Sequence, residues 1–195
     1  MTSITQVAQN VEESFTVKML IINKDGDDEP MCYSCYEDSR EHEYIEDYFY
    51  KQEAAIARIL YFFERHWEEL LKFSRRTKHQ LERWAARYGY KDKPKDILDH
   101  AKNGVNNGRY SCVNLQNGHT VEFRMFRGTL KLNTIIATLQ LVNRICDVAF
   151  SLTDDELKDM SWTTFVSGCV EPELIEYLKE RRIYINEPVD SEEDI

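Results

Sequence analysis

An α+β fold, with a small antiparallel sheet packed against five to six α-helices, is what the residue pattern predicts, and three observations point to it. Apolar residues recur at three- and four-residue steps through 46–74 and again through 133–150. β-branched and apolar runs bounded by turn residues mark strands near 15–23 and within 110–126. Between 110–115 and 120–126 stands Asn117-Gly118, the pair that a type I′ hairpin turn requires because both of its central residues need positive φ. With 195 residues, 42% of them hydrophobic, the chain has material for one core and an added arm.

The first strand is SFTVKMLIIN, ended by Asn23-Lys24-Asp25-Gly26. The run from Asp25 to Glu29 looks like a calcium loop, but Pro30 occupies the place where such a loop turns on glycine, so it reads as a solvated acidic turn. The segment 40–56 reads as a helix start and leads into the longest helix, 46–74. Its stripe of Ile56, Ile59, Leu60, Phe63, Trp67, Leu70 and Leu71 is core packing. Arg58, Arg65 and Glu69 lie off the stripe and should be wet, and His66 reads as a surface or cap residue.

Thr77 opens a second helix that should run to a left-handed cap at Gly89, with Arg83 and Arg87 either solvated or paired to Glu82 or Asp92. Pro94 starts a third helix, ended by Asn103-Gly104. After an amide-rich link comes the hairpin, and then a helix over 133–150 with Ile136, Leu139, Val142, Ile145 and Val148 inward. Thr153 with Glu156 forms a capping box, Ser161 caps WTTFVS, and Glu171-Pro172 starts a final helix reaching Arg181. This divides the chain into an acidic arm with a strand (1–50), a core (51–188) and an acidic, mobile tail (189–195).

The net charge of −10 is unevenly distributed. Residues 1–50 hold 3 basic and 12 acidic side chains, 51–150 hold 18 and 10, and 151–195 hold 4 and 13. A basic middle between acidic ends means that the ends fold back on the middle, that each surface meets a different partner, or simply that the chain is soluble. Nucleic acid should bind the whole chain poorly, with local RNA contact left to the middle. No apolar run reaches the roughly 18–20 residues needed to span a bilayer, and residues 1–10 lack signal-peptide features. A cytoplasmic protein with no membrane partner is expected, and its five cysteines should be reduced thiols. Cys32 and Cys35 are the one pair that suggests metal binding, against a plain structural role.

Chemistry concentrates in RYSCVNLQNGHTVEFRMFRGTL, residues 109–130. Period two places Glu122, Arg124 and Phe126 on one face of their strand, with Val121, Phe123 and Met125 on the other. Burying a lone charge costs several kcal/mol, so the Glu-Arg pair either satisfies itself as an ion pair or faces a cleft holding a metal and an anion. The hairpin sets Asn114 beside it. Arg127, on the opposite face, would hold a backbone carbonyl, while Arg109, Arg75 and Arg76 are generic basic positions.

Glu122-x-Arg124, a turn, and Asn133-Thr134-Ile135-Ile136-Ala137 opening an apolar helix together resemble the late active-site strand of the glutamine-synthetase and glutamate-cysteine-ligase superfold. The run 109–142, with ARILYFFERHWEELLKFSRRT and QLERWAARYG upstream, is similar more closely to the amidoligases, carboxylate-amine ligases common in phages and mobile elements. The likeness covers about 54–188. It implies a glutamine-synthetase-like fold in truncated form, divalent metal at Glu122, and phosphate or a substrate carboxylate at Arg124, with phosphate also at Arg127. The family's early Gly-x-Glu-x-Glu strand and its His-x-His strand have no counterpart in residues 1–53. Glu41-His42-Glu43 comes nearest, but it lies in a helical run, where residues two apart diverge.

Three functions follow. One is an ATP- and Mg-dependent amidoligase. The second is a non-catalytic, amidoligase-derived binding or inhibitor protein of anti-defence or anti-CRISPR type, needing no cofactor. It would use Asp27, Asp28, Glu29, Glu41, Glu43 and Glu46 against a protein partner with a cationic nucleic-acid channel. The third is a subunit whose other half is encoded separately. Missing catalytic strands favour the second, and an exposed sheet edge would favour a homodimer.

Overall fold

The computed structural model of the chain describes residues 18–19, 39–103, 110–116 and 120–185, of which 18–19 and 39–50 are described as backbone elements only. In chain order they form β1 (Lys18–Met19), α1 (Ser39–Arg65), α2 (Trp67–Ser74), α3 (Lys78–Trp84), α4 (Pro94–Lys102), β2 (Val113–Asn114), β3 (Val121–Phe123), α5 (Leu132–Ser151), α6 (Asp154–Asp159), α7 (Trp162–Ser167) and α8 (Pro172–Glu180). The α+β class is as expected, with eight helices among the described residues instead of five or six. None of these helices is long and apolar enough to cross a membrane. Cys32, Cys35, Asp27, Asp28, Glu29, Arg109, the Asn117-Gly118 turn and the tail lie outside the described residues.

The helix start read in 40–56 is continuous with the long helix, which begins at Ser39, and the whole is two helices, with His66 at φ −106°, ψ 35° between them. His66 is not a surface residue but is 5% exposed, its ring tilted against those of Phe62 at 4.7 Å and Trp162 at 5.7 Å. It precedes α2 in the cap position without a side-chain capping bond. α2 ends at Arg75, whose φ of 58° gives the left-handed closure usually left to glycine.

Thr77 caps α3 as expected, in a box with Gln80. The helix stops at Trp84, however, well short of Gly89. Strand-like pairing takes over there, with the Ala86 N–H donating to Tyr110 O at 2.7 Å and the Cys112 N–H to Ala86 O at 2.8 Å. Gly89 does have φ +94°, as a loop residue and not as a cap. α4, α6, α7 and α8 begin where Pro94, Thr153, Ser161 and Glu171-Pro172 place them.

The sheet has the order β1-β3-β2 and is antiparallel throughout. Lys18 and Asn114 both stand opposite Glu122, Met19 opposite Val121, and Val113 opposite Phe123. β2 and β3 are shorter than the runs that predicted them, and residues 110–112 are drawn off by Ala86. Val121, Phe123 and Met125 are buried, Phe123 against Phe63 of α1 at 5.7 Å.

One apolar cluster runs from Ala57 to Ile183 and joins α1, α5, α7 and α8 beneath the sheet. Ile59, Leu60, Phe63, Leu70 and Leu71 of the predicted stripe are buried, with Ile56 and Trp67 packed at its edge. Arg65 is exposed as expected, but Arg58 is half-buried, bonded to Asp154 at 2.6 Å and to Ala149 O at 3.2 Å. Glu69 is also half-buried, and burial raises its pKa above the usual carboxylate range. α8 is tied to α2 by the Tyr177 hydroxyl donating to Phe73 O and by Arg181 Nε donating to Lys72 O.

Candidate functional site

β3, the central strand, places Glu122 between two neighbours, so its carboxylate is 7% exposed by residue and meets partners instead of water. Asn114 Nδ2 donates to Glu122 Oε2 at 3.0 Å, and Arg124 Nη1 donates to Oε1 at 3.1 Å. The Asn114 amide is itself oriented, because its Oδ1 accepts the Gln116 N–H at 3.0 Å. Arg124 keeps 20% of its side chain exposed and lies 5.6 Å over the Tyr110 ring. The predicted pairing of Glu122, Arg124 and Asn114 is therefore present, as a hydrogen-bonded triad across two strands.

The loop after β3 brings in residues that the sequence left as generic. The Arg127 N–H donates to Ser74 O at 3.2 Å, which docks this loop on the end of α2. Arg76 Nη2 then donates to Phe126 O at 3.3 Å, and Arg75 Nη2 to Arg127 O at 3.5 Å. The carbonyl-binding role expected of Arg127 thus falls to Arg75 and Arg76, while the Arg127 side chain is exposed. Burial, and then the charges of Arg124 and Arg127, lower the pKa of Arg76 from the usual guanidinium value. Nε of Arg76 and Nε of Arg124 are both buried with no hydrogen-bond partner. Guanidinium N–H donors that no protein acceptor uses, at Arg76 and Arg124, are groups that an oxyanion can satisfy.

Sequence reasoning missed a second buried carboxylate. Glu64 of α1 is 3% exposed, and its Oε2 accepts from Arg87 Nε at 2.9 Å while its Oε1 accepts the Tyr88 N–H at 2.6 Å. Arg87 also donates to Glu64 O and lies 5.0 Å over Trp67, so it pairs with neither Glu82 nor Asp92 among the described residues. The signal was available, since Glu64 sits between Leu60 and Trp67 on the apolar stripe, where an unpaired charge is not tolerated. Arg87 and Trp67 also line a surface groove of about 440 Å³ with Glu68 and Glu82.

Glu41, Glu43 and Glu46 fall within α1, as the helical reading of that run requires. Cys112, Cys146 and Cys169 are free thiols, and burial pushes the pKa of Cys146 up to about 12 and that of Cys169 to about 11. Among the described residues, no three His, Cys, Asp or Glu side chains converge as a metal-holding group. Comparison of the chain with protein-family models, with curated proteins and with solved structures finds no match.

Proposed function

We propose that the chain is a non-catalytic binding or inhibitor protein on an amidoligase-derived core, acting in the cytoplasm against a cationic nucleic-acid-handling protein, in the manner of anti-defence and anti-CRISPR proteins of phages and mobile elements. Its partner-binding surface is acidic and includes Asp27, Asp28, Glu29, Glu41, Glu43 and Glu46.

The observation that supports this reading is the setting of Glu122. A ligase would need this carboxylate free as a metal ligand, because magnesium at a nucleotide site is held through one or two carboxylates together with waters and phosphates. Here one oxygen is bonded to Asn114 and the other to Arg124, and the register positions on either side are Lys18 and Asn114. The Arg124 guanidinium and the Asn114 amide occupy both carboxylate oxygens, and the positive charge of Arg124 repels a divalent cation.

The test uses the partner recovered from cells carrying candidate defence systems. Glu122→Gln should bind it within twofold of the natural chain. Charge reversal at Asp27, Asp28, Glu41 and Glu43 together should weaken binding more than tenfold at low salt and much less at high salt. Undiminished binding by the reversed variant refutes the reading.

A second reading, an ATP- and Mg-dependent amidoligase completed by a separately encoded half, is favoured by the convergence of Arg76 on Arg124 and Arg127, which suits a phosphate. Saturable heat on titrating Mg-ATP into the natural chain, lost in Arg124→Gln, would select it.

A further inference from the structure

The face of the molecule built by α3, Tyr110 and the loop after β3 alternates guanidinium groups with aromatic rings. Arg83 lies 4.8 Å over the Trp84 ring. Trp84 meets Tyr110 edge to face at 5.5 Å, and Tyr110 carries Arg124 at 5.6 Å on its own ring. Beyond Arg124 come Arg76, fixed by its bond to Phe126 O, and the exposed Arg127. Trp84 is 41% exposed, so part of its ring is open to a ligand. Arg76, Arg83 and Arg127 form no ion pair among the described residues.

We propose that this face binds single-stranded nucleic acid, with Arg76, Arg83 and Arg127 contacting phosphates and the Trp84 ring stacking on a base. Cations that track a backbone, with aromatic faces set between them, form the arrangement by which single strands are held without sequence preference. An acidic peptide would satisfy the guanidinium groups equally well but has nothing to lay on the indole. The net charge of −10 does not oppose this locally, because the acidic excess belongs to residues 1–50 and 151–195 while 51–150 carries a surplus of 8 positive charges. At physiological ionic strength a charge is screened within about 8 Å. The proposal is independent of the acidic-surface reading and departs from the expectation that nucleic acid binds poorly.

The test is fluorescence anisotropy of labelled oligo-U and oligo-dT twelve-mers with the full chain. Three phosphate contacts on a single strand give a salt slope near −2, so raising salt from 50 to 200 mM should weaken binding about twentyfold. Arg127→Gln removes one contact and should reduce that loss to about sevenfold. Arg83→Gln should do the same, and serves as the second variant if thermal melting shows that the first does not fold. Trp84→Leu should weaken binding about tenfold at both salts without changing the slope. Preference for oligo-U over oligo-dT would identify RNA as the ligand and uphold the proposal. It is overturned if neither oligomer binds saturably at 50 mM salt, if Trp84→Leu binds as the natural chain does, or if polyglutamate of equal charge competes as well as the oligomer.

Discussion

Replacing Glu64 tests whether a carboxylate unseen in the sequence holds the α3 to β2 region in place. Its side chain is 1% exposed, while that of its partner Arg87 is 42% exposed, so the two ends of this ion pair respond differently to mutation. In Glu64→Ala, Arg87 can swing into water at little cost, but the Tyr88 N–H loses its acceptor inside the protein. An orphaned buried donor costs about 1–3 kcal/mol, and the charge-assisted bond from Arg87 adds about 1 kcal/mol after discounting for its exposure. A total of about 3 kcal/mol is expected. In Arg87→Ala the buried member is the one stranded, now as a charge, and removal of one partner of a buried pair costs about 3–5 kcal/mol. Arg87→Ala should therefore destabilise at least as much as Glu64→Ala, although Arg87 is the more exposed residue. Urea denaturation followed by circular dichroism measures both, and the double variant should cost far less than the sum of the two. If Glu64→Ala lies within 0.5 kcal/mol of the natural chain, or if the two losses add, the segment 86–88 is not held by this carboxylate.

Two further perturbations probe the core. Burial, with the Arg65 charge adding to it, lowers the His66 pKa to about 4 from 6.5. The unfolded chain therefore binds a proton that the folded chain refuses. Stability present above pH 6.5 should fall as the pH drops toward 4, by about 3 kcal/mol at 1.36 kcal/mol per unit, and His66→Phe should flatten that slope in denaturant titrations across the window. Gln140, 5% exposed on α5, accepts the Leu174 N–H at 2.9 Å and donates to Glu173 at 2.9 Å, capping α8 from a distance. Gln140→Ala should cost about 1–2 kcal/mol in thermal or urea unfolding, whereas Glu173→Gln, which keeps an acceptor, should cost less.

Helix starts were legible in the sequence because each rests on a few adjacent residues: Thr77 with Gln80, Thr153 with Glu156, Ser161, and proline at 94 and 172. Where helices stop was less legible. α3 ends at Trp84 because residues 110–112 and Glu64, far away in sequence, capture the backbone of 86–88. The same asymmetry holds at the site. Glu122, Arg124 and Asn114 could be read together because they lie within eleven residues on paired antiparallel strand segments, and they do meet. Arg76 reaches Phe126 across a sequence separation of 50, and Arg87 reaches Glu64 across 23, so no local period groups them. His66 does take the cap position, but its burial was not legible, because a lone polar residue beside a stripe looks wet until its aromatic neighbours, one of them Trp162, are known.

The bonds from Tyr177 to Phe73 and from Arg181 to Lys72 join residues 104 and 109 positions apart. A ribosome adding about 5–20 residues per second takes roughly 5–20 s to make that stretch. During this interval the nascent α2 has no α8 to lie against, and Phe73 waits uncovered. Newly made chains should thus pass through a stage that attracts chaperones, and a stop codon placed before residue 172 should send the product to aggregates or proteases, even though every residue of the Glu122 triad would already have been translated.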